Sequence, residues 1–534
     1  MPDIFSREKI YGILKNRYSD LPNDWIENND FFKQKPLTVL SYDVDSIKNY
    51  IFSSSEFKAI IGASKMVSDY DKKVTEFLSK ENSYVVHAVG GTGLAVILKD
   101  DSKRIEEELR QSFKEIVPGG FLTISKVDFY PSELIHGLEK VDLNTSQLEK
   151  EFNLKFNNLT EQTDFYKLFS LLASNMREEK NSKSTEMKRI TPEFDLCEAC
   201  NTYPASEIIH RAADPNESNT MKVCEICKKK IDSGEEKIKK EKFADSLLDI
   251  DTEYDKDKQT DWLGVIYIDG NNLGKVYSRI KTDKEYITLS QNIENASESA
   301  VKQVIKEKNL ENKYAAPILG GDDIMLFIPA KQAFEIFLRL DEILSEKFGN
   351  IDGKGNGISY CGSILFCKKS MPLKMIFEAS SNLLKQAKSK FYNDYKNGQT
   401  EKNYIATRVL WNNSTEVKTE EFFSPNNDIK EIMAEGMEIS YFKSYLKLLE
   451  SLNSNEKKFL IKVVKLMNEI SPVIKLNINY FFVKNIKNVK HEQRLKELYT
   501  YIFFPEENRT RVLSSIDLLN FIEEGEKNEN KSDH

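Results

Sequence analysis

Two adjacent aspartates, Asp322 and Asp323, follow two glycines inside a segment that is otherwise apolar. The segment runs from Tyr314 to Pro329 and reads Tyr-Ala-Ala-Pro-Ile-Leu-Gly-Gly-Asp-Asp-Ile-Met-Leu-Phe-Ile-Pro. Glycine permits the positive φ angle of a tight turn, and short, bounded apolar runs are typical of buried strands. We therefore predict a β-hairpin with Gly320, Gly321 and the two carboxylates at its tip.

A third carboxylate is available from Asp269, which ends the apolar run that starts at Trp262. Two carboxylates held side by side repel each other, and a hard divalent cation with oxygen ligands, Mg²⁺ or Mn²⁺, relieves that repulsion. If the strand that ends at Asp269 lies beside the hairpin, all three carboxylates converge on one point. Such a site suits two-metal phosphoryl or nucleotidyl transfer. The alternative interpretation is that Gly-Gly-Asp-Asp is only a polar turn.

The elements that would position these aspartates occur twice in the chain. An apolar run that begins at Leu37 carries Asp43 and Asp45. A helical pattern follows it, and after that come two strand patterns joined by a Gly-Gly pair. From Asp43 to the first Gly-Gly pair is 47 residues, and from Asp269 to the second is 51, as expected for an internal repeat. The first copy reads Gly-Gly-Thr-Gly and lacks both hairpin carboxylates, so we expect no two-metal site there. It is expected either to hold a second nucleotide or to serve only as a packing partner.

Four of the six cysteines form two Cys-x-x-Cys pairs, Cys197 with Cys200 and Cys224 with Cys227. Two such pairs predict a tetrahedral zinc site made of four thiolates, with no open position. Because the surrounding segment has few apolar residues, the zinc is expected to be structural. Redox chemistry is the lesser alternative, since neither pair is predicted at a strand-to-helix turn. The other two cysteines are expected in the core.

An amphipathic pattern with a proline near its first turn predicts a helix over residues 372–390. Lys385 and Lys388 lie three residues apart on one face near the end of this helix. They are within reach of a triphosphate if the helix runs behind the hairpin. The alternative is a solvated lysine face.

Composition limits the class of protein. A chain of 534 residues with 40% hydrophobic content is expected to form several domains with real cores. No window approaches the apolar length of a membrane span and no signal sequence is recognisable, so we expect a cytoplasmic protein without a membrane partner. The net charge of −8 argues against indiscriminate nucleic-acid binding. Locally, Lys443 to Lys496 holds 12 Lys/Arg against 4 Asp/Glu, which suits either phosphate contacts or a solvated helical surface.

The order of these parts resembles the large polymerase/cyclase subunit of type III CRISPR effector complexes. The resemblance runs from about Leu37 to the C-terminus, and it includes the phrases Asp-Ser-Ile-Lys-Asn-Tyr-Ile-Phe from Asp45 and Ile-Gly-Ala-Ser from Ile61. It implies an α+β fold with two ferredoxin-like palm domains of the nucleotidyl-cyclase/polymerase type, a helical zinc-binding insert and an α-helical C-terminal domain. The expected boundaries are 1–35 for an N-terminal arm, 36–143 for a degenerate first palm, 144–261 for the zinc region, 262–410 for a catalytic second palm and 411–534 for the helical domain.

The resemblance also implies a function, which is to join ATP molecules into a cyclic oligoadenylate second messenger when target RNA is bound to the complex. Asp269, Asp322 and Asp323 would then bind the divalent cations. The implied nucleotide-binding residues are the hairpin glycines Gly320 and Gly321, the backbone of Gly270, Asn271, Asn272 and Leu273, the side chains of Lys275, Lys385 and Lys388, and Ser64 of the first palm. The implied partners are ATP, guide RNA and target RNA through the effector complex, and other type III CRISPR subunits.

Many members of that family carry an N-terminal histidine-aspartate DNase domain, and the sequence has no such pair near its start, so DNA cleavage is not expected. Three alternatives to a synthase within a complex stay open. They are a free-standing palm-domain signalling nucleotide synthase, a catalytically silent scaffold of the RNA-guided complex, and a guanylate-using cyclase that acts as a homodimer. The choice of ATP rests on the resemblance alone.

Overall fold

The computed structural model describes most of the chain between residues 36 and 410. The described residues are 36–130 except 82, 164–182, 195–210, 220–251, 260–278, 283–351, 357–398, 402–410 and 437–440, with positions 13, 442, 443 and 447. The predicted N-terminal arm, the predicted helical C-terminal domain and the basic stretch from Lys443 lie almost entirely outside these residues. In the described part, no helix combines the length and the apolar content needed to cross a membrane.

The first unit is a four-stranded antiparallel sheet with helices packed on it. Its elements are β1 (Leu37–Val44), α1 (Ile47–Ile51), α2 (Phe57–Lys80), β2 (Tyr84–Val89), β3 (Thr92–Leu98), α3 (Ser102–Ile116), β4 (Leu122–Phe129) and α4 (Asp164–Ser182). The strand order is β2-β3-β1-β4. The chain from β1 to β4 therefore runs βαββαβ, and α4 packs on β4.

The cysteine region combines a small hairpin with one helix. The hairpin is made of β5 (Glu207–His210) and β6 (Thr220–Val223), and the helix is α5 (Glu225–Glu241). This hairpin adds strands to a region that the sequence pattern predicts as mostly helical. Cys224 lies directly between β6 and α5, so the prediction that neither pair sits at a strand-to-helix turn is wrong.

The second unit repeats the first and extends it. Its elements are β7 (Trp262–Gly270), α6 (Leu273–Ser278), α7 (Asp283–Glu307), β8 (Ala315–Gly320), β9 (Asp323–Pro329), α8 (Ala333–Gly349), β10 (Tyr360–Lys368), α9 (Leu373–Lys396), β11 (Tyr404–Val409) and β12 (Met437–Glu438). The sheet order is β12-β11-β10-β7-β9-β8, so β8-β9-β7-β10 matches β2-β3-β1-β4 of the first unit. The predicted α+β fold with two ferredoxin-like units is confirmed.

Strand β7 carries a run of consecutive apolar residues because it lies inside the sheet, between β10 and β9. Residues 263–268 are all buried, and α8 and α9 both contact the strand. In the neighbouring strand β10, a Cβ on Gly362 would meet the Phe337 ring of α8, whereas Ser363 Oγ lies 3.4 Å from the Ser380 carbonyl oxygen of α9. The two helices therefore cover opposite faces of the sheet, and a strand covered on both faces needs consecutive apolar residues.

The tips of the two hairpins are equivalent in the structure, but their residues are offset by one position from the alignment of the two Gly-Gly pairs. The first turns at Gly90–Gly91 and the second at Gly321–Asp322. Matching Gly-Gly-Thr-Gly to Gly-Gly-Asp-Asp position by position is therefore wrong, because the structure places Asp322 at the position of Gly91 and Asp323 at that of Thr92. The first tip still lacks both carboxylates.

Two glycines bring α2 and α5 into backbone contact. A Cβ on Gly62 would lie 1.7 Å from the Lys230 carbonyl oxygen, and one on Gly234 would lie 1.9 Å from the Lys58 carbonyl oxygen. Backbone atoms cannot rotate away as a side chain can, so any side chain at these positions forces the helices apart. The crossing therefore fixes the cysteine region against the first unit.

We expect Gly62→Ala to destabilise the protein by roughly 3 kcal/mol, because overpacking against backbone requires the helices to separate. Urea denaturation followed by circular dichroism measures the effect. Gly349→Ala is the matched control, since a Cβ at that helical glycine has no atom within 4 Å. Equal midpoints for the two variants would contradict the close crossing.

Candidate active site

Three aspartates lie at one edge of the second sheet. Strand β9 pairs antiparallel with β7 up to Ile268 opposite Ile324, which places Asp269 beside Asp323. Asp322 lies in the turn before β9, where its Oδ2 accepts a hydrogen bond from the Gly270 N–H at 3.1 Å. The hairpin and the central strand thus bring together residues that are more than 50 positions apart in the chain.

The charges of these aspartates interact. Burial raises the pKa of the Asp322 carboxyl to about 7, and the neighbouring charges of Asp323 and Asp269 add to the increase. The pKa of Asp323 is also raised, first by burial and then by Asp269, although Lys48 opposes the increase. Burial first, and then the repulsion between neighbouring carboxylates, therefore disfavours the charged forms of Asp322 and Asp323.

Two lysines contact the aspartates from different parts of the chain. Lys388 Nζ, on α9, lies 2.8 Å from Asp269 Oδ1 and 3.3 Å from the Gly270 carbonyl oxygen. Lys48 Nζ, on α1 of the first unit, lies 2.9 Å from Asp323 Oδ1. The sequence pattern predicts a role for Lys388 but not for Lys48. The pairing of Lys48 spans 275 residues, and no local pattern marks it.

The aspartates suit a hard divalent cation by their chemistry, because they supply anionic oxygen ligands that repel one another. Their oxygen atoms are not all drawn into a tight cluster. Of the described Cys, His, Asp and Glu residues, only the four cysteines form a group whose candidate ligand atoms all lie within 4.8 Å of one another. Each aspartate instead has a hydrogen-bond donor on one oxygen.

The backbone next to Asp269 is mostly engaged within the protein. The Gly270 N–H donates to Asp322, and the Asn271 N–H donates to the Ser359 carbonyl oxygen at 2.8 Å. Both amides thus donate within the protein in this structure, and their contact with phosphate oxygens stays a prediction. Asn272 adopts a positive φ of 55°, and Leu273 begins α6.

Two lysines and the two hairpin glycines are also among the residues predicted to bind nucleotide. Lys275 Nζ lies 3.1 Å from the Tyr395 hydroxyl and 4.3 Å from the centre of its ring. Lys385 is exposed on α9, one turn before Lys388. Gly320 and Gly321 face open space, since a Cβ on either would meet no atom within 4 Å.

A cavity of about 360 Å³ lies between the two units, and the aspartate edge borders it. Gly320 and Asp323 line it from the second unit and Ser64 lines it from the first. The Ser64 hydroxyl accepts a hydrogen bond from Lys237 Nζ of α5 at 3.2 Å. Burial lowers the pKa of Lys237 to about 8. The lining contains both charge signs, with lysines 48, 65, 72, 237, 240 and 302 and the acids Asp69, Asp71, Glu241, Glu294, Glu298 and Asp323.

The equivalent edge of the first unit is occupied by a lysine. Lys180 of α4 forms an ion pair with Asp43 and lies 3.3 Å from Asp45 Oδ1. The Thr123 hydroxyl donates to Asp45 at 2.7 Å. Because α4 follows β4 as α9 follows β10, Lys180 takes the place that Lys388 has in the second unit. The first unit therefore keeps the lysine and the strand-end aspartate but not the hairpin carboxylates.

The four cysteines of the two pairs form a compact group. Their sulfur atoms lie within 4.8 Å of one another, and all but Cys200 are buried. The Cys227 N–H donates to Cys224 Sγ at 3.4 Å. Four sulfurs at such separations can hold one tetrahedral metal ion. Cys361 and Cys367 are buried in the core of the second unit, as predicted.

Comparison with known proteins bears on both units. Residues 262–398 match the family model of the Cas10/Cmr2 second palm domain. None of the curated proteins matches the chain.

Solved structures of low sequence identity share the fold. A chain of the Csm1–Csm4 cassette in complex with cA4 superposes with a TM-score of 0.54 at 12% identity, covering 92% of this chain and 70% of that one. The cassette in complex with one ATP gives 0.54 at 12% identity, with coverages of 91% and 70%. The Csm1–Csm4 subcomplex of the type III-A CRISPR-Csm interference complex gives 0.51 at 13% identity, with coverages of 91% and 69%.

The family model covers the second unit, which is the copy that carries the aspartate edge. The predicted resemblance to the large subunit of type III CRISPR effector complexes is confirmed, since residues 262–398 match the family model of the Cas10/Cmr2 second palm domain and the chain shares its fold with Csm1–Csm4 structures.

Proposed function

We propose that the chain is a metal-dependent nucleotidyltransferase that converts ATP into a cyclic oligoadenylate, working as the large subunit of a type III CRISPR complex and activated by target RNA. The observation that carries the proposal is the convergence of Asp269, Asp322 and Asp323 at the edge of the cavity between the palms. Catalytic carboxylates beside a cleft shared by two related domains suit the joining of two nucleotides, one held by each domain.

The reaction needs one nucleotide hydroxyl to attack the α-phosphate of the other, with pyrophosphate as the leaving group. Divalent cations bound by the three aspartates would lower the pKa of the attacking hydroxyl and neutralise the triphosphate charge. Lys237, beside Ser64, places a cation in the lining of the cavity, and Lys388 lies beside Asp269 at the aspartate edge. Apolar residues of the lining, including Ile47, Val67 and Ile318, provide surface for a purine ring.

Partners are proposed from the proteins that share the fold. Solved relatives are Csm1–Csm4 assemblies with cA4 or ATP, which supports ATP as substrate and a type III subunit as neighbour. Guide and target RNA would act through that assembly.

For the cysteines, we propose a structural zinc ion held by Cys197, Cys200, Cys224 and Cys227, because all four sulfurs converge and leave no open position for a substrate.

Product analysis tests the proposed function. Purified protein is incubated with mixed nucleoside triphosphates and Mg²⁺ or Mn²⁺, with and without guide and target RNA, and the products are identified by mass spectrometry. A ring of AMP units made only by protein with intact Asp322 and Asp323 is the expected result. If the wild type and an Asp322→Ala, Asp323→Ala variant give the same nucleotide profile under every RNA condition, the chain is a scaffold and the proposal fails.

The pH dependence of cation binding follows from Asp322. Because its pKa lies near 7 in the folded protein, a cation must displace a proton below that pH and meets a charged carboxylate above it. We expect Mn²⁺ affinity to fall about tenfold per pH unit below 7 and to level off above it. Isothermal titration at pH 5.5 to 8.5 measures this, and Asp322→Asn should remove most of the slope. A flat wild-type profile would contradict the assignment.

A further inference from the structure

Lys48 is the one residue among the described contacts of the three aspartates that comes from the first palm. Its Nζ lies 2.9 Å from Asp323 Oδ1, and the side chains are only 38% and 27% exposed. The same ammonium lies 5.3 Å from the centre of the Tyr267 ring on β7. Both Lys48 and Asp323 line the cavity between the palms. The contact therefore joins one domain to a carboxylate oxygen of the other.

The internal repeat shows that this lysine is an asymmetric addition. Ile47 and Leu273 begin equivalent helices, α1 and α6, four residues after the strand aspartate of each unit. Lys48 thus corresponds to Gly274, whose missing Cβ would face open space. The second palm has no side chain of its own at this helix position, whereas the first palm carries a lysine that reaches across.

The ammonium and a divalent cation would compete for the same oxygen. Asp323 has a raised pKa from burial, and the Lys48 charge opposes that shift, so the lysine stabilises the ionised carboxylate. The Asp323 charge in turn helps to raise the pKa of Lys48 above its ordinary value, against the effect of burial. The ammonium already contacts Asp323 Oδ1 at 2.9 Å, so a divalent cation can bind that oxygen only if the Lys48 side chain moves away.

We propose that Lys48 of the first palm is a counter-ion that a divalent cation must displace from Asp323, so that contact between the palms controls metal loading of the second palm. This inference rests on the proposed function, because it takes Asp323 as a metal ligand. The movement is a change of side-chain partner, since the neighbouring cavity has room for the ammonium and offers it other anions. The first palm then acts on the cation site as well as on the nucleotide.

Mn²⁺ affinity without nucleotide tests the inference. After the cysteine site is saturated with zinc, Mn²⁺ is titrated into wild type and Lys48→Met and followed by calorimetry and by the Mn²⁺ electron paramagnetic resonance signal. Loss of one charge-assisted hydrogen bond from Asp323 is expected to raise the affinity about tenfold. Lys48→Arg, which keeps the cation, should bind Mn²⁺ no more tightly than wild type. Lys99→Met is the matched control, because Lys99 pairs with Asp128 at the same 2.9 Å far from this edge.

A double variant, Asp322→Asn with Asp323→Asn, separates the possible failures. If wild type and the double variant bind Mn²⁺ equally, the metal site itself is wrong and the proposed function fails with it. A second outcome is that the double variant loses Mn²⁺ whereas Lys48→Met binds it as tightly as wild type does, or more weakly. In that case only the present inference is overturned, and Lys48 serves to hold the two palms together. Lys48→Gln, which is uncharged but can still donate a hydrogen bond, replaces Lys48→Met if the latter does not fold. A higher Mn²⁺ affinity in either variant supports the inference, and an unchanged or lower affinity overturns it.

Discussion

Replacing both Asp322 and Asp323 with asparagine is expected to lower the rate of product formation from ATP about 10³-fold. The substitution keeps the size of the side chains and the hairpin turn but removes the anionic ligands that would bind the cations. Loss of several kcal/mol of transition-state stabilisation corresponds to a rate change of this order. Steady-state kinetics with Mg²⁺ and the RNA-bound complex measure the effect, with kcat rather than KM taking most of the loss.

Removing a carboxylate elsewhere provides the control for that experiment. Asp261 precedes β7, its side chain is 88% exposed, and its pairing with Lys368 is long at 3.9 Å. Asp261→Asn changes the net charge in the same direction and should leave kcat within about twofold, since exposed ion pairs contribute little. An equal rate loss in both variants would mean that the hairpin substitution acts through general charge or stability.

The second large effect is expected from the cysteine group. Cys224→Ser should abolish stoichiometric zinc and unfold the region around β5, β6 and the start of α5, because structural zinc supplies about 10 kcal/mol or more in small zinc modules. Atomic absorption measures the zinc, and limited proteolysis between residues 195 and 230 measures the unfolding. The first palm should also loosen, since α5 contacts α2 through Gly62 and Gly234.

Cys367→Ala is the matched control for the zinc experiment. Cys367 is a buried cysteine of β10 that is not part of the group of four. Its replacement should cost stability through a small cavity but retain one zinc per chain. A Cys224→Ser protein that keeps full zinc and an intact proteolysis pattern would show that these sulfurs are not the ligands.

Sequence reasoning worked best where one short segment carried the signal. The apolar runs on both sides of Gly320–Gly321 and the run ending at Asp269 located β7, β8 and β9, because buried strands need consecutive apolar residues. The spacing of the cysteines correctly predicted that their four sulfur atoms lie close together. The repeat was visible because the same order of strand, helix and hairpin follows both Asp43 and Asp269.

The contacts that sequence reasoning missed span long distances in the chain. Lys48 meets Asp323, and Lys180 meets Asp43, only because the sheets and helices fold around them. A lone lysine on a helix carries no signal of such a partner. The amides of Gly270 and Asn271 precede a helix, which favours contact with phosphate, and no local pattern marks the hydrogen bonds that they donate to Asp322 and Ser359. The one-residue offset between the hairpin tips likewise depends on the register of the paired strands, which the sequence alone does not show.

The most direct test of the central claim is anomalous diffraction from crystals of the protein with Mn²⁺ and a non-hydrolysable ATP analogue. We expect a manganese peak between the carboxylates, about 2.1 Å from oxygens of Asp269 and Asp323, with Asp322 completing the site and the triphosphate in the cavity beside it. A well-ordered nucleotide in that cavity whose manganese contacts none of the three aspartates would contradict it.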